Sequence, residues 1–293
     1  MVDLANGQFE IDGVLFGGVW DNIKIREVTF PEADWSVQDA DNQFRPGTFM
    51  GQDLLRPGEV IFSLVTDGYT MDEAKDAADR LAAVWHKGGE RRPGQLSVLR
   101  YRYGDRTRVV YGRGRQFIHQ FDQWSLSGAS PITASFKMVT PFYFDDTEQF
   151  VDVGYTPPVT GGLVAPLVAP LTSEGTGASG VGGFIPNVGG TAPTPVVIEL
   201  RGPTRYATVS GDGWSVEYDQ PIAHDQVVTI DCRFGYALAY DNFGRVCNGN
   251  LSWKTNLLNA RMTPGTETIT YRGYDLTGTS RARVRWRGAY MTY

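Results

Sequence analysis

The chain has 293 residues, 41% of them hydrophobic and 12% aromatic, with a formal net charge of -6. That length holds about two ordinary domains with real cores and excludes a disordered chain. No run approaches the ~18 consecutive apolar residues of a membrane-crossing helix. The start, MVDLANGQFE, has neither the basic opening nor the apolar core of an export signal, so folding in a cytoplasm is expected. Acid is concentrated at the front: residues 1–153 carry 16 Lys and Arg against 23 Asp and Glu, whereas residues 154–293 carry 11 against 10. An acidic half argues against nucleic acid as a bound cargo, since binding it needs cations to displace its counterions.

From Gln8 to Phe30 the text QFEIDGVLFGGVWDNIKIREVTF reads as short strands, with Asp12-Gly13 as a hairpin turn because Gly supplies the positive φ. Residues 31–58 read as a long loop of mixed charge. Within it, Phe49, Met50, Leu54 and Leu55 form an apolar patch between two Arg-Pro-Gly punctuations, the pattern of a partner contact. Glu59 to Asp67 reads as a strand. One helix is predicted over residues 70–87. Thr70 and Glu73 make a capping box, and Met71, Ala74, Ala78, Leu81, Val84 and Trp85 recur at helical spacing as its core face. A hairpin follows with its turn at Gly104-Asp105. Its strands alternate Leu99, Tyr101 and Tyr103 with Arg100 and Arg102, and the arginines read as an exposed face balanced by nearby carboxylates. Residues 115–144 continue as strands, so the first domain reads as a β-sandwich or barrel with one helix.

The stretch Gly154–Pro195 is rich in Gly and Pro and carries one charge, Glu174, as an interdomain linker does. Beyond it lie TPVVIELRG, TVSGDGWSVEYD, HDQVVTIDCRFGYALAYD, NLSWKT, ETITYRGYD and SRARVRWRGAYMTY. Short strands with turns at Gly211–Gly213, Asp241–Gly244 and Pro264-Gly265 predict an antiparallel sandwich. The last strand sets Ala282, Val284 and Trp286 on one face. Arg281, Arg283, Arg285 and Arg287 line the other, either blunting an edge strand or meeting another subunit.

Residues for chemistry are sparse. His86, His119 and His224 are scattered, no zinc spacing or GxSxG elbow is present, and no catalytic, cofactor or metal residue is assigned. GTGASG at 175–180 matches a dinucleotide pattern but has no strand before it and no helix after it. Asp39, Asp41, Asn42 and Gln43 resemble the opening of a calcium loop without its Gly or its bidentate Glu, and Asp145, Asp146 and Glu148 are a weak candidate for holding a surface cation. Cys232 and Cys247 are expected to be free thiols.

The ordered pattern of these segments resembles the distal tail proteins of long, non-contractile-tailed bacteriophages. In the C-terminal half the likeness rests on GTAPTPVVIELRGP (190–203), VVTIDC (227–232), the turn at 241–244 with NLSW, RMTPGTETITY (261–271) and VRWRGAYM (284–291). LVAPLVAPL (163–171) is similar to the proline-spaced strand that opens the family's second domain. RPGTFMGQDLLRPGEVIFSLVTDGYTMDEAKDAADRLAAVW is similar in layout to the family's loop, strand and helix. The resemblance implies a mainly β protein of two antiparallel sandwiches, residues 1–155 with the helix and residues 156–293 galectin-like. Only about 154–162 then remains as linker, and Thr172–Gly190 becomes a loop inside the second domain. It also implies a structural virion component without enzymatic activity or cofactor: a homohexameric ring at the tail tip. That ring would join the tail tube protein to hub and baseplate proteins, with tape-measure and receptor-binding proteins as further neighbours, and let DNA pass. The alternative is a carbohydrate-binding tail module, in which Trp214, Trp253 or Trp286 would stack on host polysaccharide.

Overall fold

The computed structural model describes residues 3–31, 34–42, 44–154, 183–275 and 277–293. The stretches 155–162 (linker), 163–171 (expected strand) and 175–180 (GTGASG), and Gln43, lie outside these residues. The chain divides into two compact units, residues 1–146 with 290–293, and residues 147–289.

In the first unit the strands are β1 (Phe9–Ile11), β2 (Val14–Phe16), β3 (Ile23–Thr29), β4 (Asp34–Ser36), β5 (Ala40–Asp41), β6 (Thr48–Phe49), β7 (Leu54–Arg56) and β8 (Glu59–Thr66). Helix α1 (Met71–His86) follows, and then β9 (Ser97–Tyr103), β10 (Arg106–His119), β11 (Pro131–Met138) and β12 (Tyr143–Asp145). One antiparallel sheet runs β2-β1-β9-β10-β11-β8-β3, with β12 against β10. The sheet folds over on itself, because Phe9 on β1 stands edge-on to Phe62 on β8 at 5.3 Å although three strands separate them in the order. Burying a strongly alternating apolar face from both arms of one sheet is what closes it. Helix α1 plugs the fold with Ala74, Ala77, Ala78, Leu81 and Trp85.

The helix starts where its capping signal places it. Thr70 Oγ1 accepts from the Glu73 N–H at 3.2 Å, and the Glu73 carboxylate accepts from the Tyr69 N–H at 3.0 Å. Lys87 ends it in the left-handed region. Met71, predicted on the core face, is exposed. It stands in the first turn, ahead of Ala74, the first buried residue of the helix. Trp85 is fully buried, its Nε1–H donating to Ser135 O at 3.1 Å. It is accommodated because residue 114 is glycine: a Cβ there would lie 2.4 Å from the indole Cδ1.

The β9–β10 hairpin turns at Gly104-Asp105 as predicted, and carboxylates answer two of its arginines, but the face is only partly exposed: Arg106 is exposed and Arg102 half-buried, whereas the paired Arg100 and Arg108 are buried. Arg100 is buried, its guanidinium bound to Asp146 at 2.8 and 2.6 Å and also to Glu10. Arg108 is buried as well, paired with Asp145 and lying 3.5 Å from the Tyr290 ring centroid. The last four residues thus return to the first unit, where Tyr293 stacks on Phe30 at 4.5 Å. The sequence reading did not include this return.

The second unit is a sandwich. Its strands are β13 (Gln149–Gly154), β14 (Gly183–Val188), β15 (Thr194–Pro195), β16 (Val197–Arg201), β17 (Arg205–Gly211) and β18 (Trp214–Tyr218). They continue with β19 (Val227–Asp231), β20 (Leu238–Asp241), β21 (Arg261–Met262), β22 (Gly265–Tyr274) and β23 (Arg281–Trp286). Sheets of order β13-β23-β16-β19-β20 and β14-β22-β17-β18 enclose one core, to which Ile198, Val228 and Val284 come from the first and Val209, Val216 and Ile269 from the second. NLSWKT (250–255), read as a strand, forms only a single bridge, Leu251 to Tyr218, and Trp253 is 89% exposed. Strand β23 is interior rather than an edge, flanked by β13 and β16.

Candidate functional site

Between β3 and β8 the chain leaves the sheet of the first unit and makes a two-step hairpin arm. At its base β4 pairs with β7, Trp35 opposite Leu55. Further out β5 pairs with β6, Ala40 opposite Phe49. Local polar bonds hold this shape. Asn42 Oδ1 accepts from the Phe44 and Arg45 N–H groups at 3.0 and 3.3 Å, Asp39 accepts from Gly51 N at 2.9 Å, and Arg56 lies 3.6 Å from Asp34. The acidic cluster seen in the sequence therefore organises the arm. Among the described residues no group of His, Cys, Asp or Glu is placed to hold a metal ion.

The arm carries apolar side chains outward. Phe49, Met50 and Leu54 are exposed and Leu55 is half-buried. Sequence reasoning singled out these four and passed over Trp35, Val37 and Phe44, which are exposed on the same arm. Their signal was an apolar residue at every few positions throughout 35–55, rather than in the single cluster at 49–55. An isolated two-stranded ribbon cannot bury such residues against itself. A surface like this, uncovered and rimmed by polar groups, is suited to contact with another protein.

The other predicted contact residues lie in the second unit. Arg283 donates to Asp152 at 2.7 and 2.9 Å and lies over the Phe150 ring. Arg285 pairs with Glu148 at 3.2 Å and Glu199 at 3.1 Å. Arg281 remains exposed, opposite Arg201 on β16. The ladder is thus answered largely by carboxylates on the flanking strands, and hydrogen bonding to Arg283 holds the Asp152 carboxyl below the usual carboxylate range. Asp145 and Asp146 likewise face arginines in the first unit. His86, His119 and His224 are exposed. Both cysteines are free.

Of the three tryptophans considered for sugar stacking, Trp214 and Trp286 are buried in the sandwich core and Trp253 is exposed. The second unit also has an open groove of about 590 Å³, lined by Arg205, Gln226, Tyr274 and Thr277 among others.

The chain shares its fold, over nearly its whole length, with solved bacteriophage proteins. In particular, it is similar to the crystal structure of the SPP1 Dit (gp 19.1) protein, described as a paradigm of the hub adsorption apparatus in phages infecting Gram-positive hosts. The TM-score is 0.59 and the identity 12%, over 96% of this chain and 98% of that one. It is similar also to a chain of the phage P2 baseplate in its activated conformation with Ca, with a TM-score of 0.58 and 10% identity over 96% and 97% of the two chains. The corresponding baseplate with Sr gives 0.53 and 10% over 95% and 97%. At such identities the likeness is one of fold. No family model matches the sequence, and no curated protein matches it.

Proposed function

We propose that this chain is a structural component of a phage tail tip, acting as a distal tail protein. In this reading six copies form a ring through their first units. The ring joins the tail tube to hub and baseplate proteins and leaves a passage for DNA, and the galectin-like second unit sits outside it. The observation that carries the reading is the end-to-end likeness in fold to the SPP1 hub protein, covering both units at once. The exposed arm supplies a means of self-association. The acid excess of residues 1–153 suits a wall that DNA must slide past, since like charge prevents counterion-driven binding. Burial of Arg100 and Arg108 in ion pairs removes two of the cations that would otherwise oppose this.

The test is light scattering and negative-stain imaging of the full chain, alone and mixed with purified tail tubes. Rings, free or seated at tube ends, are the expected result. A chain that stays monomeric in both conditions overturns the reading. Glycan binding by the second unit is the other reading, favoured by exposed Trp253 and by the groove beside Tyr274. Saturable binding of the full chain to host cell wall, lost in Trp253→Ala or Tyr274→Ala, would establish it.

A further inference from the structure

Cations gather at the foot of α1, where the helix, the loop that follows it and the middle of β10 meet. Lys87 ends the helix, Arg91 and Arg92 lie in the loop, and Arg113 and Arg115 flank Gly114 on β10. Arg91 joins the three pieces, donating to Gly114 O at 2.6 Å and to Trp85 O in the last turn of the helix. Arg113 reaches back to the loop, its Nε donating to Gln95 O at 2.9 Å and its Nη2 to Arg92 O at 2.6 Å. Between Gly114 and Phe117 the β10–β11 register slips by one residue. Such a bulge re-aims side chains, and here it leaves Arg115 and Gln116 both exposed instead of alternating.

Carboxylates leave most of this charge unanswered. Lys87 pairs with Asp12 at 3.1 Å, but among the described residues Arg91, Arg92, Arg113 and Arg115 make no ion pair. Glu90, the one acid of the loop, is exposed. The contrast with the rest of the hairpin is sharp, since Arg108 is buried against Asp145, and Arg100 against Asp146 and Glu10. Backbone carbonyls hold Arg91 and Arg113 in place without cancelling their charge, and each guanidinium keeps donors for a further acceptor. Partial burial, and then the charges of Arg113 and Arg115, hold Arg91 below its usual proton affinity, with Asp12 opposing them. Crowded like charges act in this way.

We propose that this face is the docking surface for a carboxylate-rich segment of another protein. Uncancelled cations side by side on a fixed frame repel one another, and an anionic occupant removes that cost. Guanidinium forks match carboxylates in bidentate geometry. Forks already held by carbonyls also lose little side-chain freedom on binding. The spread of charge favours a short segment over nucleic acid. Residues 1–153 hold 23 Asp and Glu against 16 Lys and Arg even with these five cations counted, so the face is a basic island in an acidic unit. Exposed charges further apart than about 8–10 Å are largely screened at physiological salt, so a short acidic segment feels the island alone. A DNA duplex is charged along its whole length and would run from the island onto the acid around it. The proposal goes beyond the tail-tip reading, because it names the chemistry of a partner and holds for the chain with or without a ring.

The test is fluorescence anisotropy of a labelled oligoglutamate peptide with the full chain, at low and at high salt. Wild type should bind the peptide, more weakly as salt rises. Arg92→Glu with Arg115→Glu reverses two exposed charges and should weaken binding by about tenfold or more. Arg106→Glu with Arg272→Glu makes the same change in net charge away from the island and should leave binding as it is. Arg106 stands seven residues before Arg113 on β10, about 23 Å at the rise of a strand, and Arg272 belongs to the second unit. A wild type that ignores the peptide at low salt overturns the proposal, as does undiminished binding by the island variant or an equal loss in both variants. Tighter binding of a DNA duplex of equal charge overturns it in favour of nucleic acid. None of these outcomes bears on the ring, which light scattering reads separately. If the island variant fails to fold by circular dichroism, Arg92→Gln with Arg115→Gln takes its place; a smaller loss then supports the proposal, and unchanged binding refutes it.

Discussion

Placing an alanine at residue 114 tests how the first unit is packed. The added methyl would lie 2.4 Å from Trp85 Cδ1, 2.6 Å from its Nε1 and 2.7 Å from its carbonyl oxygen. All three are closer than carbon makes with any non-bonded atom, so something must move. The indole has little room to do so. It is fully buried, bonded to Ser135 O, and edge-on to Phe62 at 5.7 Å and Phe136 at 6.2 Å. Overpacking a core by one methyl costs about 1–3 kcal/mol, and with backbone among the clashing atoms Gly114→Ala should fall at about 2–3. For a unit of this size that is a drop of roughly 5–10 °C in melting temperature. Scanning calorimetry of the full chain is the assay. The second unit supplies the control, since its transition should stay in place. Trp85→Leu alone should cost about 3 kcal/mol by leaving a cavity. Combined with Gly114→Ala, the methyl then enters vacated space, so the double variant should be less destabilised than the sum by about 1–2 kcal/mol. A Gly114→Ala protein melting within 1 °C of wild type, or strict additivity with Trp85→Leu, would refute this account of the core.

Three further outcomes are expected. Arg100→Met leaves Glu10 and Asp146 facing each other without their shared cation, and should destabilise the first unit by about 2–3 kcal/mol; denaturant titration in which Asp146→Asn fails to restore any of that loss would contradict the ion-pair assignment. At Asp275 burial opposes ionisation, but hydrogen bonds from Thr277 and Ser280 outweigh it and hold the carboxyl well below the ordinary range. A depressed folded pKa gives stability that is present above the unfolded value of about 4 and lost as pH falls through the folded one. Asp275→Asn should therefore be less stable at pH 7 and flatten the second unit's acid-side decline in thermal melts from pH 6 to pH 2, and an unchanged slope would count against it. Burial pushes the Cys232 thiol up to about 12, so at pH 8 it should take up Ellman's reagent only after denaturation; rapid labelling of Cys232 in the native protein would show that the sandwich core is open.

The elements legible in the sequence were those whose cause is local. Thr70 and Glu73 cap a helix within one turn, Gly104-Asp105 and Asp212-Gly213 need only their own backbone freedom, and the alternation at Ala282, Val284 and Trp286 needs only the two-residue period of a strand. The same period assigned Trp286 to the core. The burial of Trp214 depends on a facing sheet, which no local period encodes.

The apolar content of the arm was visible too, in Phe49, Met50 and Leu54, because hydrophobic side chains inside a polar loop stand out without any partner being known. Pairings between distant residues were not legible. Arg100 and Arg102 alternate identically in the text, yet only Arg100 meets Glu10, 90 positions away, and Asp146, 46 positions away. That difference is set by sheet order, which no local spacing encodes. The arginines of β23 read as an edge because like charges in a row repel, and only the pairing of β13 and β16 on its two sides supplies the carboxylates.

The sequence by itself determined a mainly β chain with one capped helix, scattered histidines and a patch of uncovered hydrophobes. Tertiary structure alone decided that this patch is a projecting arm, that Tyr290–Tyr293 close the first unit, and that Arg91 and Arg92 meet β10 beside Arg113 and Arg115 at the foot of α1. The reason is that turns and caps are fixed by a few neighbouring dihedral angles, whereas a surface is fixed by which strands lie side by side.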